Sequence, residues 1–369
     1  MTFKEAMEHY RAGVASEEER QLVEQELEKN RLIAEYLDEA WEGSVAVQPA
    51  PAEEMQQVRK TLRRRNALIV LTSLVLAAAL CLGIVYVGIP AAESLYWDPT
   101  VTSFDTPWTT DLELMLAAYD ELICPETDIV MVGAGKKGFA AYDVLVQYGD
   151  TYRGGDVNFA MGSVEKGVLT LPAGLLRTCP VNIFDRATYP FYEMTSEVEE
   201  NTYGKLSELP GYVTVVAAVS FPEDKSMAEI LEFQESLLDG IVGWTAIRTA
   251  PLEEQVLPLC GMDIFPYGKV RAEINDDYPC FDIKGADLTA QTLETHFKSL
   301  LRFSADMKET KEYAQDHWNL HFTGWLDYVE ENGIYSYGCY VVGTPETFLA
   351  LLDSGAASQV WIQDIWISP

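Results

Sequence analysis

Between Ala67 and Ile89 the chain runs for 23 residues without a charge, ALIVLTSLVLAAALCLGIVYVGI, directly behind Arg59, Lys60, Arg63, Arg64 and Arg65. At about 1.5 Å rise per residue, such a stretch crosses the hydrocarbon core of a bilayer with slight tilt. A buried core helix is usually shorter and keeps a polar face. A cleaved signal peptide would not begin behind a structured-looking region of 66 residues. Leu80 precedes Cys81 where lipoprotein processing needs a small residue. After Arg65 the next cation is Lys136. Positive flanks stay in the cytoplasm, so the expected topology is a single-pass cell-membrane protein, N-terminus inside and C-terminus extracytoplasmic.

The net charge of −32 is unevenly spread: residues 1–66 hold 10 basic and 14 acidic side chains, and the chain after Ile89 holds 16 and 44. An exterior with that excess of carboxylates repels nucleic acid and anionic polymers and attracts cations or cationic peptides. Solubility at a cell surface explains the same charge. Cys124, Cys179, Cys260, Cys280 and Cys339 lie beyond the span, an odd number without zinc-ribbon spacing. An oxidising exterior allows one or two disulfides, with Cys260 and Cys280 the nearest pair in sequence.

The expected fold is multi-domain. A small all-α cytoplasmic head (1–42) precedes a linker and basic juxtamembrane segment (43–66) and the transmembrane helix (67–89). A membrane-proximal extracytoplasmic region (90–205) and a C-terminal α/β (α+β) domain (206–369) follow. In the head, Phe3, Met7, Tyr10 and Val14 form an apolar stripe, with Gly13 as a stop. Ser16 and Glu19 read as a capping box opening a second helix that runs to about Trp41, with Val23, Leu27, Ala34, Leu37 and Trp41 on one stripe. Two helices of this length cannot bury both stripes, so the head needs a partner.

Outside, a helix is expected over Thr110–Ile123, then strands at 128–132, 142–148, 157–161 and 167–172, the last two forming a hairpin. From Tyr212 two strand–helix–strand units appear. One comprises YVTVVAAVSF, a helix capped by Ser226 and Glu229, and WTAIRT. The other comprises IYSYGCYVV, a helix opened by Thr344-Pro345, and QVWIQDIWI. Between them an amphipathic helix is expected over Leu288–Trp318. The pattern points to an α/β or split-βαβ sandwich.

FKEAMEHYRAGVASEEERQLVEQELEKNRLIAEYLDEAW resembles the N-terminal sigma factor regulator family of Firmicutes. LPGYVTVVAAVSFPEDKSMAEILEF, GIVGWTAIRT and YGCYVVGTPETFLALL resemble the matching C-terminal family, in the same order. The resemblance implies a membrane-bound anti-sigma factor that holds an extracytoplasmic-function sigma factor inactive and answers an exterior stress signal. It also implies that the head contacts that sigma factor, through a set drawn from Phe3, Met7, Tyr10, Val23, Leu27, Leu37 and Trp41, some of which must instead hold the two helices together. The zinc-binding anti-sigma pattern would fall near Glu26, Asn30 and Ile33, which are not a soft-metal ligand set, so no zinc cofactor is expected.

Other motifs carry less. GAGKKG (133–138) matches G-x-G-x-x-G formally, but strand-like residues follow too soon for a crossover helix, and a turn between strands is expected. His317 and His321 stand four apart, with Asp316 or Glu330 as a third ligand, yet Trp318 marks a packing region. Trp244, Trp318, Trp325, Trp361 and Trp366 could line a groove for wall sugar or peptide, though core packing accounts for aromatics at such positions. No nucleophile motif is present, so no enzyme, no cofactor, no catalytic residue and no direct nucleic-acid contact are expected. The alternative function is a membrane-anchored extracytoplasmic ligand-binding module without a transcriptional role.

Overall fold

The computed structural model describes residues 3–42, 52–104, 109–154, 157–172, 174–176, 179, 183–187, 196–252, 259–264, 274–283, 287–307 and 321–367. They fall into two compact units, one within 1–84 and one within 85–369.

In the first unit α1 (Phe3–Arg11) packs on α2 (Glu17–Glu42). Gly13 takes φ +73°, and across it the Val14 N–H donates to the His9 carbonyl, the longer bond of a Schellman ending. The expected capping box is formed: Glu19 N–H donates to Ser16 Oγ (3.3 Å) and Ser16 N–H to Glu19 Oε2 (2.8 Å). α3 (Ala52–Gly83) continues through a π-helical turn (Ile84–Gly88) into α4 (Ile89–Glu93). One helix, Gln56–Glu93, is thus long and apolar enough to cross a membrane. Pro90 has no N–H to return to the preceding turn, and the ladder widens there.

The second unit holds two antiparallel sheets. α5 (Asp111–Ile123) leads into a meander of β1 (Thr127–Gly138), β2 (Ala141–Asp150), β3 (Asn158–Glu165) and β4 (Val168–Thr170). Lys166 and Gly167, both at positive φ, close the expected β3–β4 hairpin in the turn shape that suits strand twist. GAGKKG is not a turn. It lies inside β1 and pairs with β2 along its length, and the chain reverses at Phe139-Ala140.

After α6 (Ser196–Glu208) come β5 (Val213–Ser226), α7 (Met227–Ser236), β6 (Ile241–Ile247) and β7 (Cys260–Asp263). α8 (Ala290–Asp306), α9 (Phe322–Asn332), β8 (Tyr335–Gly343), α10 (Pro345–Ser354) and β9 (Gln359–Ile367) complete the described chain. The sheet order β7-β6-β8-β5-β9 is antiparallel at every pairing. β5 and β6 therefore run parallel with β8 between them, and β8 and β9 run parallel with β5 between them. Both strand–helix–strand units are split βαβ units. Both expected helix starts are formed, Ser226–Glu229 as a capping box and Pro345 in the first turn after Thr344. The single helix expected over 288–318 is corrected: α8 stops at Asp306, where Met307 is extended, and α9 is a separate helix. Residues 308–320, with His317 and Trp318, lie outside the described residues.

Alternation sorts the second sheet's side chains. Val215, Ala217, Val219 and Phe221 enter the main core with Ile230, Phe233, Phe297 and Phe348. Val216, Ala218, Trp244, Tyr337 and Tyr340 pack on the opposite face beneath Phe184. The main core runs from Leu112 to Val360 and takes in both sheets without a break near residue 205. Trp244 and Trp325 are buried in the interior, so they do not line a groove. Gly338 sits where an added Cβ would meet the Phe184 ring and stand 2.7 Å from the Val219 carbonyl oxygen. Gly338→Ala should therefore cost about 1–3 kcal/mol by overpacking, read as a lowered unfolding midpoint of the full chain in detergent.

Candidate functional site

The head is a helical hairpin whose two helices share a narrow seam. Ala6 and Val23 are fully buried, and the Glu19 carboxylate, besides capping α2, accepts from His9 Nδ1 at 2.9 Å. Hydrogen bonds from the Ser16 backbone and from His9 hold Glu19 below the usual carboxylate range. Within the expected set, Val23 is thus one of the residues that hold the two helices together. Met7 and Tyr10 are half-buried, and Phe3 is exposed. Beyond Glu26, α1 no longer covers α2. Leu27 and Leu37 stand 48% and 58% exposed, joined by Leu32, Ile33 and Tyr36, which the stripe reading passed over. The Trp41 side chain lies outside the described residues.

The second site lies where the chain leaves the apolar helix. Glu93, the last residue of α4, accepts from Lys136 Nζ at 2.6 Å and from the Ala140 N–H at 3.2 Å. Tyr96 meets Phe139 edge to face at 6.1 Å. Asp98 accepts from Thr100 and from the Tyr142 hydroxyl; burial and that carboxylate push the Tyr142 phenol up to about 12. Trp97 lies against Gly167, and the Lys166 N–H donates to the Ala140 carbonyl at 2.7 Å. Two turns of the first sheet thus grip residues 93–98. The sequence held a signal for this junction: Lys136, the first cation after Arg65, belongs to the GAGKKG string, weighed as a phosphate loop and not as a contact to a helix end.

The third feature is interior. His296 on α8 and Glu121 on α5 are fully buried and pair at 2.7 Å through Nε2 and Oε1. His296 Nδ1 lies 2.8 Å from the Cys280 carbonyl oxygen, and the Trp244 indole N–H donates to the Glu121 carbonyl at 2.7 Å. An imidazole facing an oxygen at each nitrogen is favoured in its protonated form, in which both nitrogens donate. Burial alone would lower the His296 pKa. The Glu121 charge, the hydrogen bond to it and the Cys280 carbonyl outweigh burial, and the net direction is upward. Sequestered from solvent, the pair is a structural tie between α5, α8 and β6.

Cys260 and Cys280, the nearest pair in sequence, are not joined to each other: Cys260 is buried on β7 and Cys280 sits at a positive-φ turn. His321 stands at the start of α9, and Glu330 pairs with Arg302 at 3.1 Å. Among the described residues no cluster of His, Cys, Asp and Glu could hold a metal ion. Comparison with known protein families, characterised proteins and solved structures finds no match to this chain.

Two outcomes follow from these geometries. Glu93→Ala removes the acceptor of the Ala140 N–H, so amide hydrogen exchange at Ala140 should accelerate while exchange in the paired centre of β2 stays unchanged. A folded-state His pKa above its ordinary value of about 6.5 contributes stability that is complete below that value and is lost as pH rises through the raised one. The melting temperature should therefore fall as pH rises from about 6 toward 8. In His296→Gln that pH-dependent component should vanish and stability at pH 6 should drop by about 3–5 kcal/mol, the cost of orphaning one member of a buried pair.

Proposed function

We propose that this chain is a single-pass membrane anti-sigma factor. Its helical head sequesters an extracytoplasmic-function sigma factor on the cytoplasmic side, and its acidic outer unit senses a stress signal. The observation that carries the reading is the uncovered apolar face of α2 from Leu27 to Leu37, on a hairpin too small to bury it. A soluble head gains nothing from such a face unless another protein covers it. The resemblance of head and outer segments to sigma factor regulators suggests the partner class, and the cations before Ala67 favour a cytoplasmic head. Inhibition needs no chemistry. Helix packing occludes the sigma surface that polymerase would take, so the protein is read as a non-enzyme without cofactor.

The membrane-exit junction supports the signalling half of the reading. A displacement of the first sheet acts directly on Glu93, the terminal residue of the apolar helix. The test is capture of the full-length protein from detergent-solubilised membranes. Wild type should bring down a sigma factor, and Leu27→Glu with Leu37→Glu should lower recovery about tenfold or more, as expected when hot-spot side chains acquire charge. If wild type recovers no sigma factor, the sequestration reading falls.

A further inference from the structure

The outward face of the first sheet carries an apolar patch that the fold does not use. Strand register sets Met131 beside Gln147 and Phe159 in one row, and Gly133 beside Leu145 and Met161 in the next. The alternate residues Val132, Val144 and Val146 point inward and are buried. Phe159 is 65% exposed, Met161 62% and Met131 46%. Gly133 adds no side chain, and nothing within 4 Å would meet a Cβ there, so the patch lies open and shallow. Aromatic and methionine side chains of this kind are enriched at binding surfaces.

Charge decides among occupants. The chain after Ile89 holds 44 Asp and Glu against 16 Lys and Arg. Two carboxylates follow the patch along the same face, Asp143 in the next row and Glu165 in the row after it, against the single ammonium of Lys137 at 3.0 and 3.6 Å. A second copy would bring the same excess of negative charge to the contact, and an anionic lipid surface would be repelled in the same way. A cationic partner is drawn in by the field and then held by apolar contact. We infer that the outward face of β1–β3, centred on Met131, Leu145, Phe159 and Met161, docks a cationic amphipathic peptide or a basic amphipathic segment of a protein. The same sheet holds Glu93 through Lys136 and Ala140, so a ligand on this face loads the element that grips the apolar helix.

The inference rests on the extracytoplasmic placement proposed above. Its test contains no sigma factor, so failure of the docking surface and failure of sequestration are separate results. Full-length protein in nanodiscs of zwitterionic lipid is titrated with a fluorescein-labelled peptide of about 14 alternating Leu and Lys residues, with empty nanodiscs as the blank. Saturable binding is expected. It should weaken about tenfold or more in Phe159→Ser with Met161→Ser, and also when oligolysine of equal length replaces the peptide. Because both side chains are exposed, the double variant should melt like wild type. Equal binding by the double variant overturns the proposal, as does equal binding of oligolysine. Wild-type dimers that disperse in the double variant would overturn it too, assigning the face to a second copy.

Discussion

The second unit is organised around α5, a helix with almost no exposed face. Of the residues in α5, all but Glu113 are buried, and three of the buried ones are carboxylates: Asp111, Asp120 and Glu121. A buried carboxylate is tolerated only when its charge is met by donors. Asp111 accepts from the Ser103 backbone and hydroxyl, Asp120 from the Ile129 N–H, and Glu121 from His296. Each partner lies on a different piece of chain, so meeting the three demands places the chain after the span, β1 and α8 around one axis. Trp244, donating to the Glu121 carbonyl, brings in the second sheet. Both sheets then contribute to one core because the same helix serves both.

The two candidate sites differ in physical character. The head is under-buried: one seam at Ala6 and Val23, one shared carboxylate at Glu19, then a long helix with its apolar face in water. The membrane exit is over-determined, with a carboxylate, an aromatic pair, a phenol–carboxylate contact and two turns meeting on residues 93–98. Each surface contact is weak alone. Together they fix residues 93–98 against the turns of the first sheet.

Most elements were legible because their signals are local. β9 coincides with the run QVWIQDIWI, α7 starts at its capping box, and α10 starts at Thr344-Pro345, each from residues within one turn or one strand. What failed was non-local. The amphipathic pattern from 288 gave no warning that α8 stops at Asp306, since Met307 keeps the apolar spacing four residues after Phe303 and departs only in backbone conformation. GAGKKG read as a turn because glycines favour turns, whereas pairing to β2 holds it extended. Which members of the head's stripe a neighbouring helix covers, Val23 among them, was likewise not legible, because periodicity marks only which residues share a helix face.

The uncharged run from Ala67 to Ile89 by itself determined one long helix, apolar enough to cross a membrane, because length and hydrophobicity are properties of consecutive residues. Tertiary structure decided the rest. It set both βαβ units as split pairs in an antiparallel sheet, buried α5 with its three carboxylates, closed Val23 against α1 and left Leu27 to Leu37 open. It also brought Lys136 and Ala140 to Glu93. These outcomes depend on which distant groups can satisfy a desolvated charge or fill a shared core, and spacing along the chain does not encode them.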